Sequence, residues 1–194
     1  MVAQISIVPP RSEWAEEYAA IAARVAEVFG SLALRVEHIG STAVPGLAAK
    51  DVIDVQVTVP TLDLPVEIAE RLTAAAFPPR NGLWGDAGLW EDHVPNGVAP
   101  RPGDWIKRYA RAARGRRAAH IHIRRAGAAN ERYARLFRDY LRASPAAAAD
   151  YAQIKRELAA RHAGDVDAYY AVKDPVCDLI MAAAELWAAS SGWR

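Results

Sequence analysis

Residues 36–59 read VEHIGSTAVPGLAAKDVIDVQVTV, and this stretch decides the fold. Its first part predicts a short strand from Leu34 to Ile39, which runs into a turn built on Gly40, Ser41 and Thr42. Glycine and serine at the end of a strand are typical of a tight turn. The stretch therefore begins as a strand followed by a sharp change of direction.

The segment from Val52 to Val59 has the clearest strand pattern in the chain. Branched apolar residues alternate with polar ones, which is the pattern of a strand with two different faces. Asp54, Gln56 and Thr58 share one of these faces. A polar row costs burial energy unless it meets water, a ligand or a metal. This stretch is therefore the candidate functional site.

Composition indicates a folded protein of moderate size. The chain has 194 residues, of which 52% are apolar and 24% charged. We expect one domain over residues 1–194, with a core at about 5–125 and a helical part at about 130–190. The formal net charge of +1 gives no global reason to expect binding to nucleic acid or to a membrane.

The single cysteine, Cys177, cannot form an intramolecular disulfide, which favours a reducing cytoplasm. Its apolar neighbours favour a buried, inert thiol over a nucleophile. Residues 1–10 lack the pattern of a signal peptide, and no apolar run reaches about 18 residues. We therefore expect a cytoplasmic protein without a membrane partner.

The first part of the chain predicts one strand and two helices besides residues 34–59. Ile5 to Val8 form a short opening strand. An amphipathic helix follows, with Ser12 as its N-cap and Gly30 as its stop. A second helix is capped by Asp63 and runs to about Ala76.

The remainder predicts further strands and then helices only. The predicted strands are Gly82 to Asp92, Trp105 to Arg111, and Ala119 to Arg124. The predicted helices are Asn130 to Arg142 with Asn130 as cap, about 146–162, and about 166–189 with a kink or restart at Pro175. This order predicts an α+β fold with a small mixed sheet and a C-terminal helical layer.

Several motifs together resemble the signature of the GrpB family. They are HIGSTAVPGLAAK at residues 38–50 followed by Ile53-Asp54, His120-Ile121-His122, FRDYLR at residues 137–142, and the run Tyr151, Lys155, Tyr169, Lys173. The resemblance covers about residues 5–190. It implies a sheet similar to that of polymerase-β-like nucleotidyltransferases, in which a Gly-Ser turn lies under the triphosphate and two acids hold two magnesium ions.

Carried onto this chain, the resemblance implies Mg²⁺ or Mn²⁺ at Asp54, with Gln56 as a weak second metal position. An amide oxygen brings no negative charge, so this departure implies a relative that is degenerate in catalysis. The resemblance also implies phosphate binding at Gly40, Ser41 and Thr42. The alternative is a structural turn that requires glycine, with the serine capping the next helical turn.

Three histidines accompany Asp54. His120 and His122 share one face of their predicted strand, and His38 lies on a strand predicted to be close to it. We expect the four side chains to meet over one side of the sheet, with His120 and His122 in catalysis beside Asp54. Such a cluster binds a transition metal, supplies a general base or contacts phosphate. The alternative is hydrogen bonding across a half-exposed sheet.

Lys50, Arg138 and Lys173 are candidate phosphate ligands. The alternatives are a solvated loop lysine and ion pairs along helices. Residues 101–125 hold nine basic residues and one acid, Asp104. This stretch either steers an anionic substrate, grips RNA, or forms a solvated loop.

Two functions follow from these residues and from the resemblance. The first is a nucleotidyltransferase-like enzyme, or a degenerate relative, that binds a nucleotide or another phosphorylated ligand with a divalent metal. The second is a non-catalytic folding-accessory or protein-interaction domain, because the family's domain is fused behind dephospho-CoA kinase in some bacteria. An RNA-binding module ranks below both, and a nucleic-acid partner is not expected.

Overall fold

The computed structural model describes residues 4–80 and 88–194. Within these ranges the helices are α1 (Trp14–Phe29), α2 (Val66–Ala74), α3 (Ala129–Ala143), α4 (Pro145–Arg161) and α5 (Val166–Ser191). The strands are β1 (Arg35–Ile39), β2 (Ile53–Val59), β3 (Leu89–Glu91), β4 (Ile106–Arg111) and β5 (Ala119–Arg125). The predicted α+β class with a C-terminal helical layer is confirmed.

The strands form one mixed sheet in the order β1-β2-β5-β4-β3. β2 and β5 are parallel, and the other neighbours are antiparallel. β2 therefore lies between β1 and β5, with a neighbour on each side. The two strands that carry the acid and the paired histidines of the candidate site are direct neighbours.

One face of the sheet forms the main hydrophobic core with α1 and α2. The apolar residues of β2 on this face, Ile53, Val55, Val57 and Val59, are each 0% exposed. They pack with the buried stripe of α1, which includes Val25. Full burial of one such side chain contributes about 1.5–3 kcal/mol relative to exposure. This face fixes the register of β2 and therefore directs its polar residues to the other side.

The other face of β2 is only partly covered. The start of α3 lies over its C-terminal half, where Gln56 donates to the carbonyl of Glu131 and Thr58 donates to the Glu131 carboxylate. Asp54 lies at the opposite end of the strand, where it lines a cleft. The predicted polar row is therefore divided between a helix contact and a cleft.

The C-terminal helices pack on the loop between β1 and β2. Val44 and Leu47 of this loop form a hydrophobic cluster with Tyr151 of α4 and Cys177 of α5. The thiol of Cys177 is buried, as expected. The helical layer therefore holds the segment between the Gly-Ser turn and β2. None of the helices in the two described ranges is long and apolar enough to cross a membrane.

Gly30 is the C-cap of α1, as predicted, but the predicted N-terminal caps are wrong. The Ser12 hydroxyl donates to the neighbouring Glu13 carboxylate rather than accepting from the first turn of α1. Asp63 precedes a helix that begins at Val66 without a side-chain cap. Asn130 lies inside α3, and its amide donates to Asp92. For Asn130, a tertiary partner takes the place of the cap, whereas Ser12 contacts its sequence neighbour.

Some predicted boundaries also differ. Ile5 to Val8 do not form a strand: Val8 makes an isolated bridge to Ala49, and the two prolines that follow cannot extend the pairing. Of the strand predicted for 82–92, residues 82–87 lie outside the described residues, and β3 begins at Leu89. α2 ends at Ala74, and α5 continues through Pro175 without a restart.

Candidate functional site

A cleft of about 540 Å³ lies between the open face of the sheet and the three C-terminal helices. Ligand sites of small molecules usually have volumes of about 300–1,000 Å³. The sheet side carries Asp54, His120 and His122, and the helix side carries Lys155 and Lys173. The sheet side thus combines an acid and two imidazoles with cations such as Lys107 and Arg111, and the helix side, with its two lysines, is called the basic wall below.

Strand pairing brings Asp54 and the two histidines together. In the parallel ladder of β2 and β5, Asp54 is opposite His120 and Gln56 is opposite His122. Asp54 Oδ1 lies 3.2 Å from His120 Nδ1 and 3.3 Å from His122 Nε2. These atoms belong to a group whose donor atoms all lie within 4.8 Å of one another. The sequence placed these three residues on one face, and the structure does so too.

The turn after β1 is shaped around this carboxylate. Gly40 has a φ of 71°, in the left-handed region that favours glycine. A Cβ at this position would lie 2.5 Å from Asp54 Oδ2. Residue 40 is therefore a glycine for two reasons, its backbone conformation and the close approach of Asp54.

Hydrogen bonds fix the protonation of this cluster. Burial opposes ionisation of Asp54, but contacts with the His120 and His122 rings hold the pKa of its carboxyl well below the ordinary value. Burial and the nearby Lys107 ammonium lower the pKa of His122 to about 3. The His122 ring is therefore neutral at physiological pH and donates its Nε2 proton to the ionised Asp54.

A second group of charges supports His122 from behind. Its Nδ1 lies 3.0 Å from Lys107 Nζ, and Lys107 forms an ion pair with Asp92. Arg124 and Asn130 also donate to Asp92, at 3.0 Å each. Burial disfavours the Asp92 carboxylate, but the Arg124 and Lys107 cations hold its pKa below the ordinary value. The histidine is thus fixed between two carboxylate networks.

Lys155 connects the basic wall to the Gly-Ser turn. Its ammonium donates to the Ser41 hydroxyl at 2.9 Å and to the carbonyl of Ala48 at 2.6 Å. The side chain is 3% exposed, and burial lowers the pKa of Lys155 to about 7. Ser41 therefore presents its hydroxyl to the cleft beside a lysine whose charge changes near neutral pH.

Two further lysines of the cleft, Lys50 and Lys173, contact Tyr170 of α5. Lys50 Nζ donates to the Tyr170 hydroxyl at 2.7 Å and lies 5.0 Å from its ring centroid. Lys173 lies 5.2 Å from the same ring and pairs with Asp174 at 2.9 Å. Both predicted phosphate ligands therefore line the cleft, as do Gly40 and Ser41.

His38 does not join the cluster. In the antiparallel pairing of β1 and β2, His38 is opposite Val55, whose side chain points into the core. The His38 ring instead stacks on Tyr18 of α1, with ring centroids 4.5 Å apart, and contacts the Thr42 hydroxyl at 3.0 Å. Burial lowers the pKa of His38 to about 4. The expectation that His38 meets Asp54 is wrong, because the two residues face opposite sides of the sheet.

Gln56 is not presented to the cleft either. It is 0% exposed, its Oε1 accepts from Arg124 at 2.6 Å, and its Nε2 donates to the carbonyl of Glu131. The geometry therefore contradicts a metal position at Gln56. An amide fits this place because it satisfies a donor and an acceptor at once, which a carboxylate cannot do.

Arg138 connects α3 to β1 instead of lining the cleft. Its guanidinium pairs with Glu37 at 3.4 Å and with Asp139 at 2.7 Å, and it donates to the His38 carbonyl at 2.9 Å. The side chain is 10% exposed. These contacts contradict a phosphate-binding role and indicate a structural one.

Several basic side chains of the stretch 101–125 form ion pairs within the protein. Arg124 pairs with Asp92, and Arg117 pairs with Asp51 and Glu17. Arg114 and Arg116 are exposed at the turn between β4 and β5. The stretch is therefore not a continuous basic surface.

Sequence reasoning missed Asp92, Lys107 and Asn130, which also line the cleft. Asp92 and Lys107 meet because β3 pairs with β4, and a strand of three residues has almost no periodicity to detect. Lys155 belongs to the motif run that resembles the GrpB family, which predicts it on the helical side of the cleft, and it does line the cleft.

Comparison with known proteins identifies the family. The family model described as "GrpB protein" matches residues 4–183. The chain belongs to the GrpB family. A crystal structure of the conserved protein GrpB from Enterococcus faecalis has a TM-score of 0.71 and 28% identity, covering 94% of this chain and 99% of that one.

Some relatives of this GrpB chain are longer than the chain itself. It is 39% identical to a dephospho-CoA kinase of Mycolicibacterium paratuberculosis over 99% of this chain and 49% of the relative. It is 33% identical to the UPF0157 protein YqkA of Bacillus subtilis, over 88% of this chain and 44% of that protein. The chain thus spans about half the length of these curated relatives.

Proposed function

We propose that this GrpB chain binds a nucleotide or another phosphorylated small molecule in the cleft, as a nucleotidyltransferase-like protein. The observation that carries this proposal is the position of Lys155, whose ammonium lies 2.9 Å from the Ser41 hydroxyl beside the Gly-Ser turn. A cation and a hydroxyl at one point form a suitable contact for a phosphate oxygen. Lys50 and Lys173 add positive charge to the same wall.

The residues on the sheet side of the cleft suit a reaction at the end of the ligand that the lysines do not hold. Asp54, His120 and His122 face the cleft across from the lysines, so a phosphate held by the basic wall would present its other end to this cluster. His120 is the member that lacks a second network behind it among the contacts described above. We therefore assign His120 to orienting or deprotonating an acceptor, and His122 to holding Asp54.

The two magnesium ions of related nucleotidyltransferases fit this cleft poorly. Magnesium prefers several oxygen ligands. Asp54 supplies one carboxylate, and the atoms beside it are the ring nitrogens of His120 and His122. Gln56 is buried under α3. The proposal therefore rests on ligand binding by the basic wall and does not depend on a pair of magnesium ions.

Thermal stabilisation by nucleotides tests the proposal. Nucleoside mono-, di- and triphosphates are added to wild type, to Lys50→Met and to Arg161→Met. Arg161 is a matched control because it lies on α4 with a side chain that is 72% exposed and pairs only with Glu157 among the described residues. A ligand at about a hundred times its Kd stabilises the folded state by about 2.7 kcal/mol.

We expect stabilisation that increases with phosphate number, is weakened by Lys50→Met and persists in Arg161→Met. Stabilisation equal in all three proteins would place the ligand outside the cleft. An unchanged melting temperature with every nucleotide and with inorganic polyphosphate would refute the proposal.

A second candidate function is an accessory or interaction domain. Its supporting observation is an exposed apolar line on α5, where Val172, Leu179 and Leu186 recur every seven residues with exposures of 46%, 73% and 76%. Relatives named dephospho-CoA kinase carry additional chain beyond the part that this GrpB chain matches. We therefore name a dephospho-CoA kinase as the partner to test.

Co-elution of this chain with a purified dephospho-CoA kinase domain distinguishes the two functions. An accessory domain requires a complex that Leu179→Glu with Leu186→Glu removes and that Lys50→Met leaves intact. Absence of a complex at micromolar concentrations would refute this second function and leave the first untouched.

A further inference from the structure

We propose that Asp54, His120 and His122 form a binding site for a first-row transition cation such as Zn²⁺, Co²⁺ or Mn²⁺, in preference to Mg²⁺. The site lies in the cleft of the proposed function but depends only on its own donor atoms. It requires neither a nucleotide nor the second acid that this chain lacks.

The spacing of the donor atoms suits a single cation. In a tetrahedral site with bonds of about 2.1 Å, neighbouring ligand atoms lie about 3.4 Å apart. Asp54 Oδ1 lies 3.2 Å from His120 Nδ1 and 3.3 Å from His122 Nε2. The three donor atoms all lie within 4.8 Å of one another, so one cation can take the place of the two imidazole protons that now face the carboxylate.

The chemistry of the donors selects the cation. Two imidazole nitrogens and one carboxylate oxygen are the ligands that zinc, manganese, iron and cobalt accept, whereas magnesium is bound mainly by oxygen. Gln56 is engaged by Arg124 and by Glu131, so it does not complete a set of oxygen ligands. Gln56 in place of a second acid therefore disfavours a magnesium site, and two of the three remaining donor atoms are nitrogens.

The backbone around the donors is rigid. All three residues lie on neighbouring parallel strands, and Gly40 packs against the Asp54 carboxylate from the turn. A fixed scaffold lowers the cost of ordering the ligands. The side chains of Asp54, His120 and His122 are 26%, 24% and 14% exposed, so a cation can reach them from the cleft.

Lys107 sets a condition on cation binding. A histidine that binds metal through one ring nitrogen carries its proton on the other nitrogen. His122 Nδ1 faces Lys107 Nζ at 3.0 Å, so cation binding requires Lys107 to turn fully to Asp92, with which it already pairs. Three protein ligands then leave a coordination position open to the cleft, as in catalytic rather than structural sites.

Cobalt binding tests the site without any assay of activity. The protein is treated with a chelator and titrated with CoCl₂, followed by visible d–d absorption, and ZnCl₂ and MgCl₂ are compared by calorimetry. Asp54→Asn and His120→Gln remove ligands with little change of shape. His93→Gln is the matched control, because His93 also lines the cleft and contacts a carboxylate, that of Asp178 at 3.0 Å.

We expect one cation per chain, tighter binding of Zn²⁺ and Co²⁺ than of Mg²⁺, and a loss of affinity of roughly a hundredfold in Asp54→Asn and His120→Gln. His93→Gln should bind as wild type does. Thermal melting without metal shows whether each variant folds, so a loss of binding by a folded variant is interpretable.

Two results would overturn the inference: the absence of saturable Co²⁺ and Zn²⁺ binding, or equal binding by Asp54→Asn and wild type. Nucleotide stabilisation without cation binding would refute this inference and retain the proposed function. Cation binding without nucleotide stabilisation would support this inference and refute the proposed function. The two failures are therefore distinguishable.

Discussion

Gly40 lies directly against the carboxylate of Asp54, and a Cβ on residue 40 would come within 2.5 Å of Asp54 Oδ2. The turn and the acid are therefore one structural unit, although thirteen residues separate them in the sequence. Ile39, which precedes the glycine, is the direct strand partner of Asp54. The end of β1 thus determines where the carboxylate of β2 can point.

Gly40→Ala should displace the Asp54 side chain. Alanine at a positive φ costs about 1–2 kcal/mol, and the new methyl group also meets the carboxylate. Gly46→Ala is the matched control, because Gly46 has a φ of 77° but nothing lies within 4 Å of its added Cβ. We expect backbone strain in both variants and a loss of Co²⁺ binding in Gly40→Ala alone.

Urea unfolding and the cobalt titration measure the two effects separately. If Gly40→Ala bound Co²⁺ as tightly as Gly46→Ala, the position of Asp54 would not depend on this contact.

The alternation of β2 and β5 contained most of the information that places the candidate site. Period-two patterns on two strands put Asp54, His120 and His122 on the same side of a sheet once the strands are neighbours. The adjacency itself was only a condition of the prediction, and it is met because β2 pairs with β5 in parallel. The roles of these three residues stay predictions.

The failures have equally specific causes. His38 was assigned to the wrong face because the sequence of β1 does not reveal its register against β2, and a shift of one residue reverses every side chain. Gln56 and Arg138 were assigned to ligand binding because nothing in the sequence shows that α3 covers that end of the sheet. Contacts between distant elements decided each of these cases.

Arg138→Met should reduce stability without affecting the cleft. The Arg138 side chain is 10% exposed and its guanidinium donates to Glu37, Asp139 and the His38 carbonyl, so its loss leaves partly buried acceptors without this partner. We expect a loss of about 2–4 kcal/mol in the free energy of unfolding, measured in urea. Nucleotide-dependent stabilisation should remain as in wild type.

The control is Arg132→Met on the same helix. Arg132 is 43% exposed and pairs with the exposed Glu185, and such surface pairs contribute about 0–1 kcal/mol. If Arg138→Met kept its stability and lost nucleotide binding, Arg138 would be a ligand contact after all.

His38→Phe should make the free energy of unfolding depend less on pH below pH 7. Burial lowers the pKa of His38 to about 4, against an ordinary value of 6.5. Between these values the unfolded state binds more protons, so wild type loses stability as the pH falls, by up to about 1.4 kcal/mol per pH unit. Phenylalanine keeps the stack on Tyr18 and does not titrate.

The free energy of unfolding of both proteins, measured from pH 7 to pH 4, checks this prediction. His122 contributes in the same direction in both proteins, so the difference between the two curves isolates His38. Parallel curves would mean that His38 has the same pKa in the folded and the unfolded state. Co²⁺ binding at pH 7 should be the same in both proteins, because His38 faces away from the cleft.

Lys155→Met should remove an increase in the free energy of unfolding that wild type shows as the pH rises above 7. Burial lowers the pKa of Lys155 to about 7, whereas the ordinary value is 10.5. From pH 7 to about 10 the unfolded state holds more protons on this lysine, so the wild-type protein gains stability as the pH rises, by up to about 1.4 kcal/mol per unit. Methionine retains the packing on Tyr151 and cannot titrate, so its curve should be flatter.

Arg156→Met is the control for Lys155→Met, because Arg156 lies next to it on α4 and is exposed. Chemical unfolding at pH 7, 8.5 and 10 should give a stability difference between wild type and Lys155→Met that grows with pH, and a constant difference for Arg156→Met. A constant difference for both variants would mean that the folded protein keeps Lys155 charged. The lysine would then be a permanent cation beside Ser41, and phosphate binding in the cleft would not depend on the charge state of Lys155 at neutral pH.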